Sequence, residues 1–466
     1  MDILEKKTVL ETLIRDAAEK AGFTGAWLYA EGGEIVSKGA VGFRDPDDSE
    51  PIREDSVFDL ASVTKQFTAA AVMLLRRRGL LSLDDEITKF FPAIPHKGVT
   101  VRHLLHHTGG LPDYMDWVDK LAEEEHAIPG NDAVVRFLCE SGEAAEFKPG
   151  EKWEYSNTGY CLLAEIVETV SGVKFEEFLR KELFEPAGMT ATRVYHRRRD
   201  KITIENLAWG LSLPLGEERY AIPDDLAEER TVVTCDGMNG DGLVHSNIFD
   251  LFAWDRALRN ETVLTKEEQA LMYTPGRLNN GEVSGDPEDE DGDAYGFGWF
   301  VENDPDLGLI VCHSGGWPGY STWYQRFVDA DRVLILLRCR DVQDERACAA
   351  FDAGIKAIAR DKAPEPVRAI EELALQNPDK RGWEALCGMY DYAIGDFRIR
   401  EIVMKDGDLY ALASQDEADY TLRMYPLGEN VFGIKDLDAD LTFGDGTLTL
   451  YGETGKKLEA EKEETT

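Results

Sequence analysis

Ser62 and Lys65 stand three residues apart in F-D-L-A-S-V-T-K-Q-F-T-A-A-A-V-M-L-L-R-R-R-G, the stretch from Phe58 to Gly79. That spacing sets the lysine one turn above the serine on the same side of a helix. Two chemistries fit the pair. In one, the serine caps the helix and the lysine snorkels to solvent. In the other, the serine is a nucleophile and desolvation weakens the neighbouring amine's preference for its charged form. An S-x-x-K match alone does not choose, because Ser171-Gly172-Val173-Lys174 supplies a second one. There a glycine follows the serine, which marks a helix end rather than a start. Context favours Ser62.

The element that must position this pair is a buried helix. Phe67, Ala70, Ala71, Leu74 and Leu75 share one face of a 3.6-residue period, and Ala69, Val72 and Met73 fill the other faces. A helix apolar all round is normally buried. Arg76 to Arg78 and then Gly79 supply the cationic last turn and the stop.

Two further stretches carry polar groups in an order that could serve the same centre. Tyr155 and Asn157 lie in W-E-Y-S-N-T-G-Y downstream of P-G-E, and His313, Gly315 and Gly316 lie in H-S-G-G. His313 has local rivals in His96-Lys97-Gly98 and His107-Thr108-Gly109, but it alone follows one strand-like run and precedes another. His103 and His107, four apart on a helix, have the spacing of zinc ligands. No third ligand is apparent, so the H-T-G-G loop reads as structural. In the acidic loop 285–293, Asp289, Asp291 and Asp293 alternate as in a calcium loop. Ala294 and Phe300 stand where that loop needs its Gly and its bidentate Glu, so a solvated loop without metal is expected.

Along the chain, residues 2–21 read as an amphipathic helix. Ala26–Ala30 and Ile35–Val41, joined by E-G-G-E, read as a hairpin. A short helical segment stops at Pro92, a helix enters the H-T-G-G loop, and residues 111–190 are mainly helical. A helix over Ile248–Arg259 follows, then strands at Leu307–Cys312, Ser321–Val328 and Arg332–Leu337, and a helix over Glu345–Arg360. From Leu386 short alternating runs with Gly-Asp turns predict a small all-β unit. The fold class expected is α+β: an antiparallel sheet flanked by helices, a mostly helical subdomain, and an all-β C-terminal domain. The expected organisation is a hydrolase domain at 1–362, a linker at 363–382, a β-barrel-like domain at 383–457 and a disordered tail at 458–466.

Composition narrows the function classes. The 466 residues suffice for two or three domains with sizeable cores. Ninety acidic against 51 basic residues give a net charge of −39, which repels phosphate backbones; no nucleic-acid partner is expected. No run approaches the about 18 apolar residues of a membrane span, so no membrane partner is expected. The N-terminal M-D-I-L-E-K-K has charges where a signal peptide needs its apolar core. The seven cysteines are odd in number, scattered and without a C-x-x-C pair, which predicts reduced thiols and a cytoplasmic location.

The ordered set S-V-T-K at 62–65, Y-S-N at 155–157 and H-S-G-G at 313–316, with L-L-H-H-T-G-G-L-P and Y-G-F-G-W, resembles the serine β-lactamase and penicillin-binding-protein superfamily. The nearer likeness is to its class C β-lactamase, DD-peptidase and esterase branch, in which a tyrosine motif stands in place of S-D-N. It covers about residues 8–360, and the C-terminal unit resembles the lipocalin-like modules that follow some members.

The resemblance implies a Ser62 acyl-enzyme acting on small esters, amides or peptides, with Lys65 and Tyr155 sharing the general-base role and no cofactor. It implies that Asn157 holds Lys65 and the substrate's acyl side, that the N–H groups of Ser62 and Gly316 form the oxyanion hole, and that His313 and Gly315 border the substrate. A β-lactamase or D-amino-acid peptidase, and a lapsed hydrolase used as a scaffold, are the alternatives. One departure bears on them. β-Lactamases of this superfamily usually carry K-T-G where this chain has H-S-G, and a histidine with a reference pKa of about 6.5 is mostly neutral at pH 7. Antibiotic hydrolysis is therefore less expected than ester or amide hydrolysis. The oligomeric state is left open.

Overall fold

The computed structural model describes residues 1–118, 120, 128–215, 219–226, 231–286, 294–415, 418–444 and 446–458. The calcium-like aspartates of the acidic loop and residues 459–466 of the expected tail lie outside these. The described chain forms two compact units, one of Thr24–Ser212 with Ile222–Arg340, the other of Met1–Phe23, Leu213–Ala221 and Asp341 to the C-terminus.

The first unit is built on an antiparallel sheet. β1 (Gly25–Glu31) and β2 (Glu34–Val41) form the N-terminal hairpin. β3 (Phe58–Asp59), β4 (Arg193–Val194) and β5 (Val244–Ser246) make a separate small sheet in the order β3-β5-β4. β6 (Ala294–Tyr295), β7 (Phe300–Asp304), β8 (Gly308–Trp317), β9 (Tyr320–Phe327) and β10 (Arg332–Arg338) complete the main sheet, in the order β2-β1-β10-β9-β8-β7-β6. The sequence pattern ends a strand at Cys312. In the structure β8 instead runs on through H-S-G-G-W, pairing His313 with Tyr324 and Gly316 with Ser321 on β9.

Helix Lys65–Arg77 is the centre of the core, with every residue from Lys65 to Leu75 buried. Phe67 meets Phe184 at 5.4 Å and Trp254 at 5.0 Å between ring centroids. Helices Asn157–Ser171 and Ile248–Arg259 join the same cluster. Ser171, of the second S-x-x-K, lies at a helix end closed by Gly172 at φ 75°, as its sequence context predicts.

In the second unit, eight strands (β11–β18, from Gly388–Ile394 to Glu453–Lys457) close into a barrel. Side chains fill it, among them Tyr392, Ile399, Phe432 and Leu448, as eight strands allow. Helices Ile3–Lys20 and Glu345–Ala359 belong to this unit, where the Phe23 and Phe351 rings meet at 5.1 Å. Among the described residues no helix is long and apolar enough to cross a membrane.

Candidate active site

Ser62 sits on a tight turn that the sheet and the core helix hold from opposite sides. After β3, Ala61 takes φ 46°, a conformation that costs a residue with a side chain of order 1–3 kcal/mol. The Asp59 carboxylate accepts the Ala61 N–H at 2.8 Å and so supports the strained peptide. Residues Ala61–Thr64 form a 3-10 turn, and the α-helix begins at Lys65. Two glycines let strands press on this turn. A Cβ at Gly315 of β8 would stand 2.2 Å from the Leu60 carbonyl oxygen, and one at Gly298, in Y-G-F-G-W, 2.7 Å from that of Lys65. Gly298 also takes φ 76°, which glycine adopts without strain.

Lys65 is fully buried, yet its amine is not left bare. Nζ donates to Ser62 Oγ at 3.1 Å, to Asn157 Oδ1 at 2.9 Å and to the Asp241 carbonyl at 3.0 Å. Three acceptors match the three donors of an ammonium. The same nitrogen lies 4.7 Å from the Tyr155 ring centroid and 5.6 Å from that of Tyr160, so aromatic faces complete the shell. Asn157 opens helix Asn157–Ser171, which Ser156 caps through the Gly159 N–H at 3.1 Å. The Tyr155 hydroxyl is buried and, among the described residues, has no hydrogen-bond partner.

The H-T-G-G turn holds Tyr155 on both sides. The His107 carbonyl accepts the Glu154 N–H and its Nδ1 the Ser156 N–H, each at 3.0 Å. The His107 ring lies 4.4 Å from that of Tyr155. Burial, then the Lys65 charge, holds its imidazole well below the usual histidine range, so Nδ1 stays an acceptor. His103 is engaged in a capping box with Thr100.

His313 is only 1% exposed. Its Nε2 accepts from the Tyr295 hydroxyl at 3.0 Å, and its Nδ1 donates to the Ser314 carbonyl at 2.6 Å. Burial, then the charge on Lys65, pushes its pKa down to about 3, so the ring is neutral across the physiological range. The β8 residues that face the cavity are Gly316 and Trp317. Ser62, Lys65, Tyr155 and Asn157 thus gather around one amine, Gly315 backs the turn, Gly316 faces the cavity, and His313 packs behind it.

The cavity above Ser62 has a volume of about 210 Å³, with Ser62, Asn157, Tyr114, Asp241 and Gly316 in its wall. Two of these escape a reading of the sequence. The Asp241 carboxylate accepts from Tyr114 Oη at 2.8 Å and from the Cys161 thiol at 3.4 Å. Burial pushes both donors well above their usual ranges, so they stay protonated. Asp241 comes from N-G-D-G and Tyr114 from L-P-D-Y, glycine- and proline-marked turns that have no periodicity to reveal an inward side chain.

The chain belongs to the β-lactamase family, whose model matches residues 10–357. Its fold is that of the serine hydrolases of β-lactamase and penicillin-binding-protein type. It is similar to penicillin-binding protein 4* of Bacillus subtilis (strain 168), with 36% identity over 446 residues and 94% of each chain covered. Among solved structures, the octameric penicillin-binding protein homologue from Pyrococcus abyssi shares the fold over 98% of this chain and 100% of that one, with a TM-score of 0.64 at 23% identity. The D-amino acid amidase from Ochrobactrum anthropi SV3 shares it over 72% and 91%, with a TM-score of 0.58 at 23% identity.

Proposed function

We propose that this protein hydrolyses small esters and amides through an acyl-enzyme on Ser62. The observation that carries the reading is the single buried amine of Lys65, which joins the Ser62 hydroxyl to Asn157 and to the backbone of Asp241. With all three lysine protons engaged, the serine proton is assigned to Tyr155, whose ring centroid lies 4.7 Å from Lys65 Nζ and whose buried hydroxyl has no hydrogen-bond partner among the described residues. For the step to balance, Tyr155 must give up its own proton before it takes the one from Ser62. Ser62 Oγ bonds to the carbonyl carbon as its proton passes to Tyr155 Oη, and the carbonyl π electrons move onto oxygen. The N–H groups of Ser62 and Gly316 receive that oxyanion. Collapse expels the alcohol or amine, which takes the proton from Tyr155. Water then attacks the acyl carbon and gives its proton to the same base, the acid departs, and Ser62 Oγ recovers a proton.

A second reading, peptidase action on D-amino-acid substrates, draws support from the amidase that shares the fold. Hydrolysis of carboxylate-bearing β-lactams draws less, because Asp59 and Asp241 line the cavity and, among the described residues, no Lys, Arg or His does.

Labelling with a fluorophosphonate probe tests the proposal. The expected result is one adduct per chain, mapped to Ser62 and abolished in Ser62→Ala. An unlabelled wild-type protein, as a lapsed scaffold would give, or an adduct on another serine would overturn it.

A further inference from the structure

Two of the three acceptors of the Lys65 amine come from separate stretches of chain that must keep a fixed spacing. Asn157 opens helix Asn157–Ser171, while Asp241 lies in the turn N-G-D-G at 239–242. One buried side chain joins both stretches from outside the cavity. Asn131, 5% exposed, begins helix Asn131–Glu140, and the residues that line the cavity over Ser62 do not include it. Its Oδ1 accepts the Asn239 N–H at 2.8 Å, and its Nδ2 donates to the Asn239 carbonyl at 2.9 Å. One amide thus closes on both main-chain groups of residue 239. The same Nδ2 lies 3.2 Å from Asn239 Oδ1 and 3.2 Å from the Cys161 carbonyl, one turn beyond Asn157 on its helix. The acceptor and both donors of the Asn131 amide are therefore engaged.

The grip reaches the amine within two residues. The Gly240 carbonyl accepts the Thr68 hydroxyl at 2.6 Å. Gly240 takes φ 98°, and a Cβ there would stand 2.5 Å from the Tyr160 carbonyl oxygen, so the turn lies tight against helix Asn157–Ser171. With Asn239 and Gly240 fixed, the next carbonyl, that of Asp241, meets Lys65 Nζ at 3.0 Å. Cys161 closes the circuit, since its carbonyl receives Asn131 while its thiol donates to Asp241 Oδ1 at 3.4 Å. The helix that Asn131 begins gains nothing from this. An asparagine at a helix start ordinarily caps its own helix. Here Gly130 holds the capping position and helix Asn131–Glu140 has no side-chain cap, while the amide bonds a residue 108 positions away. A local rule broken in this way is expected near a functional centre.

We propose that Asn131 is a positioning residue, which holds the Asp241 carbonyl and the Asn157 helix at the spacing that directs the Lys65 amine to Ser62 and Tyr155. This rests on the Ser62 acyl-enzyme reading and adds to its machinery a residue outside the cavity wall. Without Asn131 the turn at Asn239 relaxes, the third acceptor withdraws, and the amine turns away from the Ser62 hydroxyl. Misplacement of a reacting group by about 1 Å lowers the rate about a hundredfold. The cavity wall itself is unchanged, so reversible binding is not affected.

The experiment uses the full chain and a fluorophosphonate probe, with labelling followed to saturation so that the reversible binding constant and the maximal rate separate. Asn131→Leu keeps the branched shape and removes every bond of the amide. Asn239→Ala trims a side chain but keeps both main-chain partners of Asn131. In Asn131→Leu the maximal rate should fall about a hundredfold, with the binding constant within about threefold of wild type. In Asn239→Ala both should stay within about threefold. A lower melting temperature in Asn131→Leu with an unchanged maximal rate, as a merely structural residue would give, overturns the assignment. Equal losses in the two variants also overturn it, because they place the effect in packing and not in the grip on the main chain. If Asn131→Leu does not fold, Asn131→Asp decides by the same split, since a carboxylate keeps the acceptor for the Asn239 N–H and loses the donors to both carbonyls. A wild type that does not label refutes the acyl-enzyme reading and this assignment with it, whereas a wild type that labels at the same maximal rate as the variants refutes the assignment alone.

Discussion

At the scale of residues, Tyr155 and Lys65 show opposite accounts. The Lys65 amine is buried with a partner for each proton, so its removal would leave Asn157 Oδ1 and the Asp241 carbonyl without a donor. Such a loss costs of order 1–3 kcal/mol per group. The Tyr155 hydroxyl is buried with no partner among the described residues, so its removal forfeits no hydrogen bond there. A group that lowers stability where it stands is expected at a catalytic centre. Tyr155→Phe should therefore melt at or above the wild-type temperature, yet acylate Ser62 about 10²–10⁴-fold more slowly, the range for loss of a general base. Thermal melts paired with stopped-flow labelling check both halves. A destabilised variant that acylates normally would remove Tyr155 from the proton path.

At the scale of elements, the parts that were legible in the sequence are those whose pattern reports burial directly. Helix Lys65–Arg77 is apolar all round because it is enclosed all round, and the E-G-G-E hairpin appears as β1 and β2, within a residue of its expected limits. The missed parts have another physical origin. The strand-like run stops at Cys312, because glycines add no apolar pattern, but in β8 they serve a close approach, with Gly315 against the Leu60 carbonyl, and the strand continues. β7 has only Val301 fully buried and shows no alternation to detect. Of the candidate site, the grouping of Ser62, Tyr155 and Asn157 around Lys65 was legible, because their motifs stand in order along the chain. Asp241 was not, because a carboxylate in a glycine turn looks the same whether it faces solvent or a cavity. The H-T-G-G turn, ambiguous in sequence, has a definite task, for His107 grips the peptide groups on both sides of Tyr155. Asparagine places Oδ1 where histidine has Nδ1, and it tolerates the φ of 58° found here. His107→Asn should keep the Ser156 bond and acylate within about tenfold of wild type. His107→Phe keeps a ring but loses the acceptor, and should fall about a hundredfold in acylation rate with little change in KM. Equal rates for the two variants would mean that the bond to Ser156 does not position Tyr155.

At the scale of the whole molecule, the two units draw on different stretches of chain. The core around helix Lys65–Arg77 is assembled from residues between Ala26 and Cys339, all within the first unit. The barrel has its own core, and Leu215, from the segment Leu213–Ala221, packs against it. Helix Glu345–Ala359 is tied to the barrel's chain at its start. The Glu345 N–H donates to the Lys435 carbonyl at 3.1 Å, Arg346 pairs with Asp440 at 2.7 Å, and the capping Asp344 also accepts the Ile370 N–H at 2.7 Å. A chain that ends at Arg360 would keep helices Ile3–Lys20 and Glu345–Ala359 but lose these three ties, together with the buried Val367 and Ile370. The loss falls within one unit, while every group that touches the Lys65 amine lies in the other. The shortened chain should therefore lose stability in its terminal helices, seen as faster amide exchange over residues 3–20 and 345–359. It should still label Ser62 within about threefold of the full chain's rate. Exchange confined to those helices with labelling intact is the expected pattern. Lost labelling in a chain that remains folded would show instead that the barrel completes the catalytic unit.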